Sequence, residues 1–217
     1  LHIVREQEID LIISDVMMPE MDGLTFCKII KNDVNTSHLN VLMLTAKNTA
    51  EDRIECYNAG ADAFIAKPFE LGVLNARVKN LIGKRRQKVE SFQHGQEINI
   101  SSMEYNSIDE VFLKQAVQVV EEKLADETFD FDQFAVDMST SKSTLHRKLK
   151  SLTGLSPGEF IRSIRMKHSL QMLANNIGNI SEIAYSVGFS DPKYFSRCFK
   201  NEFGVTPKEW LEKNKRK

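Results

Sequence analysis

Three apolar runs, each closed by a polar residue and followed by a stretch of helical period, organise the first third of the chain. Ile9-Asp10-Leu11-Ile12-Ile13-Ser14 ends at Asp15, Asn40-Val41-Leu42-Met43-Leu44 ends at Thr45-Ala46, and Ala63-Phe64-Ile65-Ala66 ends at Lys67-Pro68-Phe69. The turn-rich segment from Val16 to Gly23 feeds a helix from Leu24 to about Lys31. Further helices are predicted from Ala50 to Asn58 and from Glu70 to about Arg86, and the residues before Ile9 read as the end of another. Short, nearly continuous apolar strands alternating with helices predict a parallel sheet covered on both faces.

Past a polar stretch from Gln93 to Ser107 that sustains neither period, the pattern becomes helical. Ser107-Ile108-Asp109-Glu110 has the form of a capping box, and Phe112, Ala116, Val119, Val120 and Leu124 mark one face of an amphipathic helix. A unit is then used twice. Leu145 answers to Phe195, Arg147 to Arg197, Leu149 to Phe199, Gly154 to Gly204 and Phe160 to Trp210. Each copy is a short apolar helix, a polar turn and a second helix carrying basic residues, the order of a helix-turn-helix.

Within the second helices, Leu145, Leu149 and Leu152 match Phe195, Phe199 and Phe203 as one buried face. The opposite face carries Lys142, His146, Arg147 and Lys150 in one copy, and Lys193, Arg197 and Lys200 in the other. Between the copies, Pro157 to about Asn175 reads as a single helix. Its roughly 19 residues at about 1.5 Å each give a rod of about 28 Å. Adjacent major-groove faces of a DNA duplex lie about 34 Å apart, so with its flanking turns the rod is of a length to seat both second helices on one side.

At 217 residues, 41% apolar and 27% charged, the chain has the composition of two ordinary globular domains, and no apolar run approaches a membrane span. Cys27, Cys56 and Cys198 form no CxxC pair and read as reduced thiols packed in cores. The five histidines, at positions 2, 38, 94, 146 and 168, show no metal-ligand spacing. The expected location is the cytoplasm. The formal net charge of -1 hides an asymmetry: from Ser139 to the end stand 15 Lys or Arg against 6 Asp or Glu. That surplus lies where the duplicated unit would meet phosphates.

Asp15, Thr45 and Lys67 each fall just past the carboxyl end of a strand, the edge where an open parallel sheet binds ligands. Any one of them alone reads equally as a loop residue or a helix cap. Together they suit a carboxylate that accepts a phosphoryl group, with a hydroxyl and an amine on the phosphoryl oxygens. A phosphohydrolase with an aspartyl-phosphate intermediate would place a second aspartate where Met17 stands, so the chain is read as no enzyme.

Ser14-Asp15-Val16-Met17-Met18-Pro19 with Asp22-Gly23, then Thr45-Ala46, then Lys67-Pro68-Phe69, resemble the receiver domain of two-component response regulators. The resemblance implies Asp15 as phosphoacceptor, Thr45 as switch hydroxyl, Phe64 in the switch aromatic position and Lys67 as the phosphate-contacting cation. In that family a magnesium ion is held by the phosphoacceptor, here Asp15, by the backbone carbonyl two residues on, here Met17, and by an acidic pair at the end of the first strand. That pair is absent, so magnesium is expected only for the complete receiver and no cofactor for this chain. The expected fold is an α/β receiver fragment, flavodoxin-like with its first two strands missing, followed by an all-α domain of two helix-turn-helix units joined by a long helix.

The region from Ile108 onward resembles the DNA-binding domain of AraC-type transcription regulators, through Ile183-Ala184, Val187-Gly188-Phe189, Tyr194-Phe195-Ser196-Arg197, Phe199-Lys200 and Gly204-Val205-Thr206-Pro207. Carried over by position, the base-reading side chains are Ser143, His146 and Arg147 in one copy and Lys193, Tyr194, Ser196 and Arg197 in the other. Arginine can grip guanine with two hydrogen bonds, so Arg147 and Arg197 lead. Lys142, Lys150 and Lys200 are assigned to phosphates, and Tyr194 stands equally as a packing residue. The expected divisions are a receiver over 1–86, closed by a basic run from Lys84 to Lys88 that reads as a solvated helix end or a DNA-backbone contact, a linker over 87–107, and a DNA-binding domain over 108–217.

A receiver joined to this domain also resembles the carboxyl-terminal end of Bacteroidetes hybrid two-component sensors, whose input is commonly a glycan fragment and whose output is a polysaccharide-utilisation locus. A full-length protein of that kind would be anchored to the inner membrane. The partners implied are double-stranded DNA, a histidine kinase in cis or in trans, a second copy in the active state, and RNA polymerase. The alternative is a constitutive DNA-binding regulator whose receiver serves only as a dimerisation module.

Overall fold

The computed structural model describes residues 1–7, 9–46, 49–95, 100 and 105–214. The chain divides into two compact units, one of Leu1–Ser91 with Met103–Phe112 and one of Phe92–Ser102 with Leu113–Lys217.

In the first unit, α1 (His2–Glu6) precedes β1 (Leu11–Asp15), α2 (Gly23–Asn32), β2 (Asn40–Thr45), α3 (Ala50–Asn58), β3 (Ala63–Ala66) and α4 (Leu71–His94). The strands are parallel in the order β1-β2-β3. Side chains of a strand alternate between its faces, and central β2 shows the result. Val41 and Met43 join Cys27, Ile30 and Cys56 of α2 and α3, whereas Leu42 joins Ala63, Ile65 and Leu81 on the α4 side. The strand and sheet expectations hold here, as do the helices apart from the end of α4, and the α/β receiver plan is present in these three strands and their helices.

Two local expectations are corrected. The helix expected to stop near Arg86 continues to His94, so residues 87–94 are helical and not linker. Leu81, Arg85, Lys88 and Phe92 stand four, three and four residues apart, a helical stripe that two charged residues disguise. Arg85 pairs with Asp10 at 2.9 Å, and the Lys88 amine lies 5.4 Å from the Tyr105 ring centre. The rest of the expected linker, including Ile98 and Asn99, lies largely outside the described residues.

The capping box also moves by one residue. Helix α5 (Ser107–Glu122) starts at the serine expected to cap it. The cap is Asn106, whose Oδ1 accepts the Asp109 N–H at 2.8 Å while its Nδ2 donates to Asp109 Oδ2 at 2.7 Å. Asp109 Oδ1 also accepts the buried Ser37 hydroxyl at 2.7 Å.

The second unit continues with α6 (Phe131–Asp137), α7 (Lys142–Thr153), α8 (Pro157–Ala174), α9 (Ile180–Ser186), α10 (Pro192–Phe203) and α11 (Pro207–Asn214). The duplication extends to the punctuation. Ser141 caps α7 and Asp191 caps α10, and both helices end at a left-handed glycine, Gly154 and Gly204. Glu159 accepts from Ser156 and Glu209 from Thr206, so α8 and α11 open with matching boxes. The 18 residues of α8 run unbroken, about 27 Å long. Its two ends differ in core: Phe160 stacks with Phe134 at 6.0 Å, while Met166, Leu170 and Leu173 pack with Ile183, Phe195 and Phe199.

Candidate phosphoacceptor site and nucleic-acid interface

Strand register assembles the first site. Asp15 ends β1 opposite Leu44, Thr45 follows opposite Ala66, and Lys67 follows Ala66 with its N–H donating to the Thr45 carbonyl at 2.7 Å. The ends thus step along one edge, and the Lys67 ammonium donates to Asp15 Oδ2. The Met17 N–H donates to the other oxygen at 3.2 Å. About a third of each paired side chain is exposed, so the carboxylate is open to a donor, while Thr45 is buried. The hydrogen bond from Lys67 is the largest cause holding the Asp15 pKa below the usual carboxylate value.

A close backbone approach supports Asp15 from behind. A β-carbon on Gly23 would lie 2.0 Å from the Asp15 carbonyl oxygen, so no larger residue fits without displacement. Asp22 caps α2 by accepting from the Thr25 N–H at 2.9 Å and its hydroxyl at 2.7 Å. Phe64, on β3, packs its ring edge-on to Tyr57 at 5.5 Å, with the Arg53 guanidinium 5.8 Å from its centre.

Magnesium needs about six oxygen ligands in near-octahedral order. Among the described residues no group of three or more His, Cys, Asp or Glu is placed to hold a metal. Magnesium keeps several waters and is commonly bound through one or two carboxylates and a phosphate, so Asp15 and the Met17 carbonyl are the two ligands these residues would supply, with the Lys67 ammonium competing for the carboxylate.

In the second unit the helices α7 and α10 carry the residues assigned to DNA. Lys142, Ser143 and Lys150 are exposed on α7 and His146 and Arg147 half-buried; on α10, Lys193, Tyr194, Arg197 and Lys200 are exposed and Ser196 half-buried. Several are already engaged. Lys142 pairs with Asp132 at 2.6 Å, Ser143 Oγ lies 3.4 Å from Ser141 Oγ, and the Ser196 hydroxyl donates to the Pro192 carbonyl at 2.9 Å. The Arg197 guanidinium lies over the Tyr194 ring, 5.6 Å from its centre.

The charge surplus of this region is not all at the surface: Lys148, Arg165 and Lys167 are buried. Arg165 donates to the carbonyls of Gly188, at 3.2 Å, and Asp126, and a β-carbon on Gly188 would lie 2.8 Å from the guanidinium carbon. Arg165 and Lys167 stand on α8 beside Arg162 and His168, so nothing in the local pattern separates them from surface charge.

Residues 1–79 match the response regulator receiver domain model, and residues 134–213 match a helix-turn-helix domain model. Histidine kinase P4 of Formosa agariphila is 42% identical over 200 residues, 92% of this chain and 15% of that protein. Response regulator Rre1 of Synechocystis is 42% identical over 76 residues, 35% of this chain and 33% of its own length. The HTH-type transcriptional activator RhaS of Mannheimia succiniciproducens is 39% identical over 80 residues, 37% of this chain and 30% of its own. The chain therefore spans a third or less of each of these relatives.

Proposed function

We propose, for a chain that joins a response regulator receiver domain to an AraC-type helix-turn-helix domain, that it is a sequence-specific transcription regulator switched by phosphorylation of Asp15. The observation that carries this reading is the ionised Asp15 carboxylate paired with Lys67 on the strand edge that also bears Thr45. In-line attack by Asp15 Oδ on the phosphorus of a kinase phosphohistidine forms the P–O bond of an acyl phosphate as the P–N bond breaks, and the imidazole leaves with that electron pair. Lys67 then exchanges a carboxylate partner for a phosphoryl oxygen, with Thr45 as the hydroxyl that follows it.

In the second unit Arg147 and Arg197 read guanine edges, with Ser143, His146, Lys193, Tyr194 and Ser196 beside them. Lys142, Lys150 and Lys200 neutralise phosphates. The phosphorylated protein pairs with a second copy, engages RNA polymerase and works in the cytoplasm. The likeness to a protein named a histidine kinase supports a kinase in the same polypeptide, and a polysaccharide-utilisation locus as the target rests on the resemblance to hybrid sensors alone.

Two experiments test this. Label transferred from a histidine kinase should appear on the wild-type protein and vanish in Asp15→Asn; label retained there sinks the phosphoacceptor. Selection of duplexes from a random pool should return two short motifs about one helical turn apart. A single isolated motif would overturn two-helix reading.

A further inference from the structure

The two recognition helices differ in what lies beside their leading arginine. On α10, Tyr194 stands one turn before Arg197 and its ring carries the guanidinium, with the carbon 5.6 Å from the ring centre. That ring is itself held: it lies 5.9 Å from the ring of Phe189, which is buried and meets Phe195 edge-on at 5.5 Å. Tyr194 nevertheless keeps 44% of its surface exposed, so the shelf is anchored at one end and open at the other. In the first copy the matching positions are Thr144, which is buried and accepts the Ser141 hydroxyl at 3.0 Å, and Ser139. Neither has a ring.

A flexible arginine gives up side-chain freedom if it must be fixed to read a base, and gives up less if its planar group is already oriented. We propose that Tyr194 is a positioning residue for Arg197, through its ring and not its hydroxyl. The inference rests on Arg197 reading a base, as proposed above.

The test uses the whole chain and a duplex selected by it from a random pool, together with every single-base variant of that duplex. Binding is measured for wild type, Tyr194→Phe, Tyr194→Ala, Arg197→Ala and the double alanine variant, each checked for an unchanged melting curve. An exposed cation–ring contact corresponds to roughly a two- to five-fold effect. Tyr194→Ala should therefore lose about that much discrimination at one base pair, the same pair at which Arg197→Ala loses its preference. Tyr194→Phe should keep it, and Tyr194→Ala should cost nothing further at that pair once Arg197 is alanine.

Loss in Tyr194→Phe equal to that in Tyr194→Ala would make the hydroxyl the acting group and overturn the proposal. Additive losses in the double variant would make Tyr194 an independent contact and overturn it as well. If Arg197→Ala leaves all base preferences intact, the reading of Arg197 itself has failed, and the inference falls with it.

Discussion

Lys167, buried in the middle of α8, donates a 2.6 Å hydrogen bond to the carbonyl of Phe92, and its amine lies 4.9 Å from the centre of the Phe92 ring. Phe92 is buried as well and stacks on Phe160 at 5.6 Å. The last turn of α4 is thus closed by a cation, which suits the negative end of a helix. Lys167→Met keeps most of the stem but strands a buried acceptor, at about 1–3 kcal/mol. Phe92→Ala keeps that backbone carbonyl but removes a core ring and should cost about 3–5 kcal/mol. Urea titration of the whole chain, followed by a probe in the second unit, checks the order.

Gly23 and the Asp15 carbonyl make a second contact that tolerates no side chain. Gly23→Ala must push the α2 start or the Asp15 loop aside, an overpacking effect of about 1–3 kcal/mol. The unfolding midpoint of the first unit should fall, and phosphoryl transfer to Asp15 should slow with it. A variant as stable as wild type would mean that the loop yields freely.

How much of this was legible in the residues depended on whether a local pattern carried its own answer. β2 reads as a strand because both its faces are covered, so Val41, Leu42 and Met43 are all apolar. The edge holding Asp15, Thr45 and Lys67 was legible because strand ends in a parallel sheet coincide. The end of α4 was not, since Arg85 and Lys88 occupy stripe positions where only apolar residues announce burial. Nor were buried Arg165 and Lys167, whose partners are backbone carbonyls that leave no mark on sequence. Pairing of Lys142 with Asp132 is equally silent, because one turn between helices brings them together.

The Asp15 pKa is depressed in the folded protein chiefly by Lys67. A carboxylate of this kind contributes stability that is fully present above its unfolded value of about 3.9 and lost as pH falls through the lower folded value. Lys67→Met removes the donor, so Asp15 should titrate at higher pH than in wild type. Carbon NMR of the Asp15 carboxyl across acid pH reads the shift directly. No upward shift would place Lys67 off the carboxylate in solution.

The matched helix caps allow a paired comparison. Ser141 accepts the Thr144 N–H at 3.2 Å, and Asp191 accepts the Lys193 N–H at 2.8 Å. Alanine at either should cost about 0.5–2 kcal/mol, with lost helix confined to the copy that carries it. Hydrogen exchange of the first turns of α7 and α10 separates the two. Equal loosening of both by one substitution would show that the copies fold as a single cooperative block.

Among the phosphate-assigned lysines, Lys142 enters DNA binding from an existing pair with Asp132, whereas Lys200 lies exposed on α10. Exposed pairs contribute little and exchange readily, so Lys142 gains a phosphate only net of its carboxylate. Removing one lysine from a phosphate lowers affinity about equally on all duplexes and reduces the slope of log affinity against log salt by about one. Lys200→Ala should show that full change and Lys142→Ala a smaller one. Asp132→Asn should raise affinity without altering base preference, because it frees the ammonium and touches no base. Binding titrations between about 50 and 200 mM salt, the range over which phosphate binding weakens steeply, decide it: equal slopes for the two lysine variants would mean that the Asp132 pair never competes.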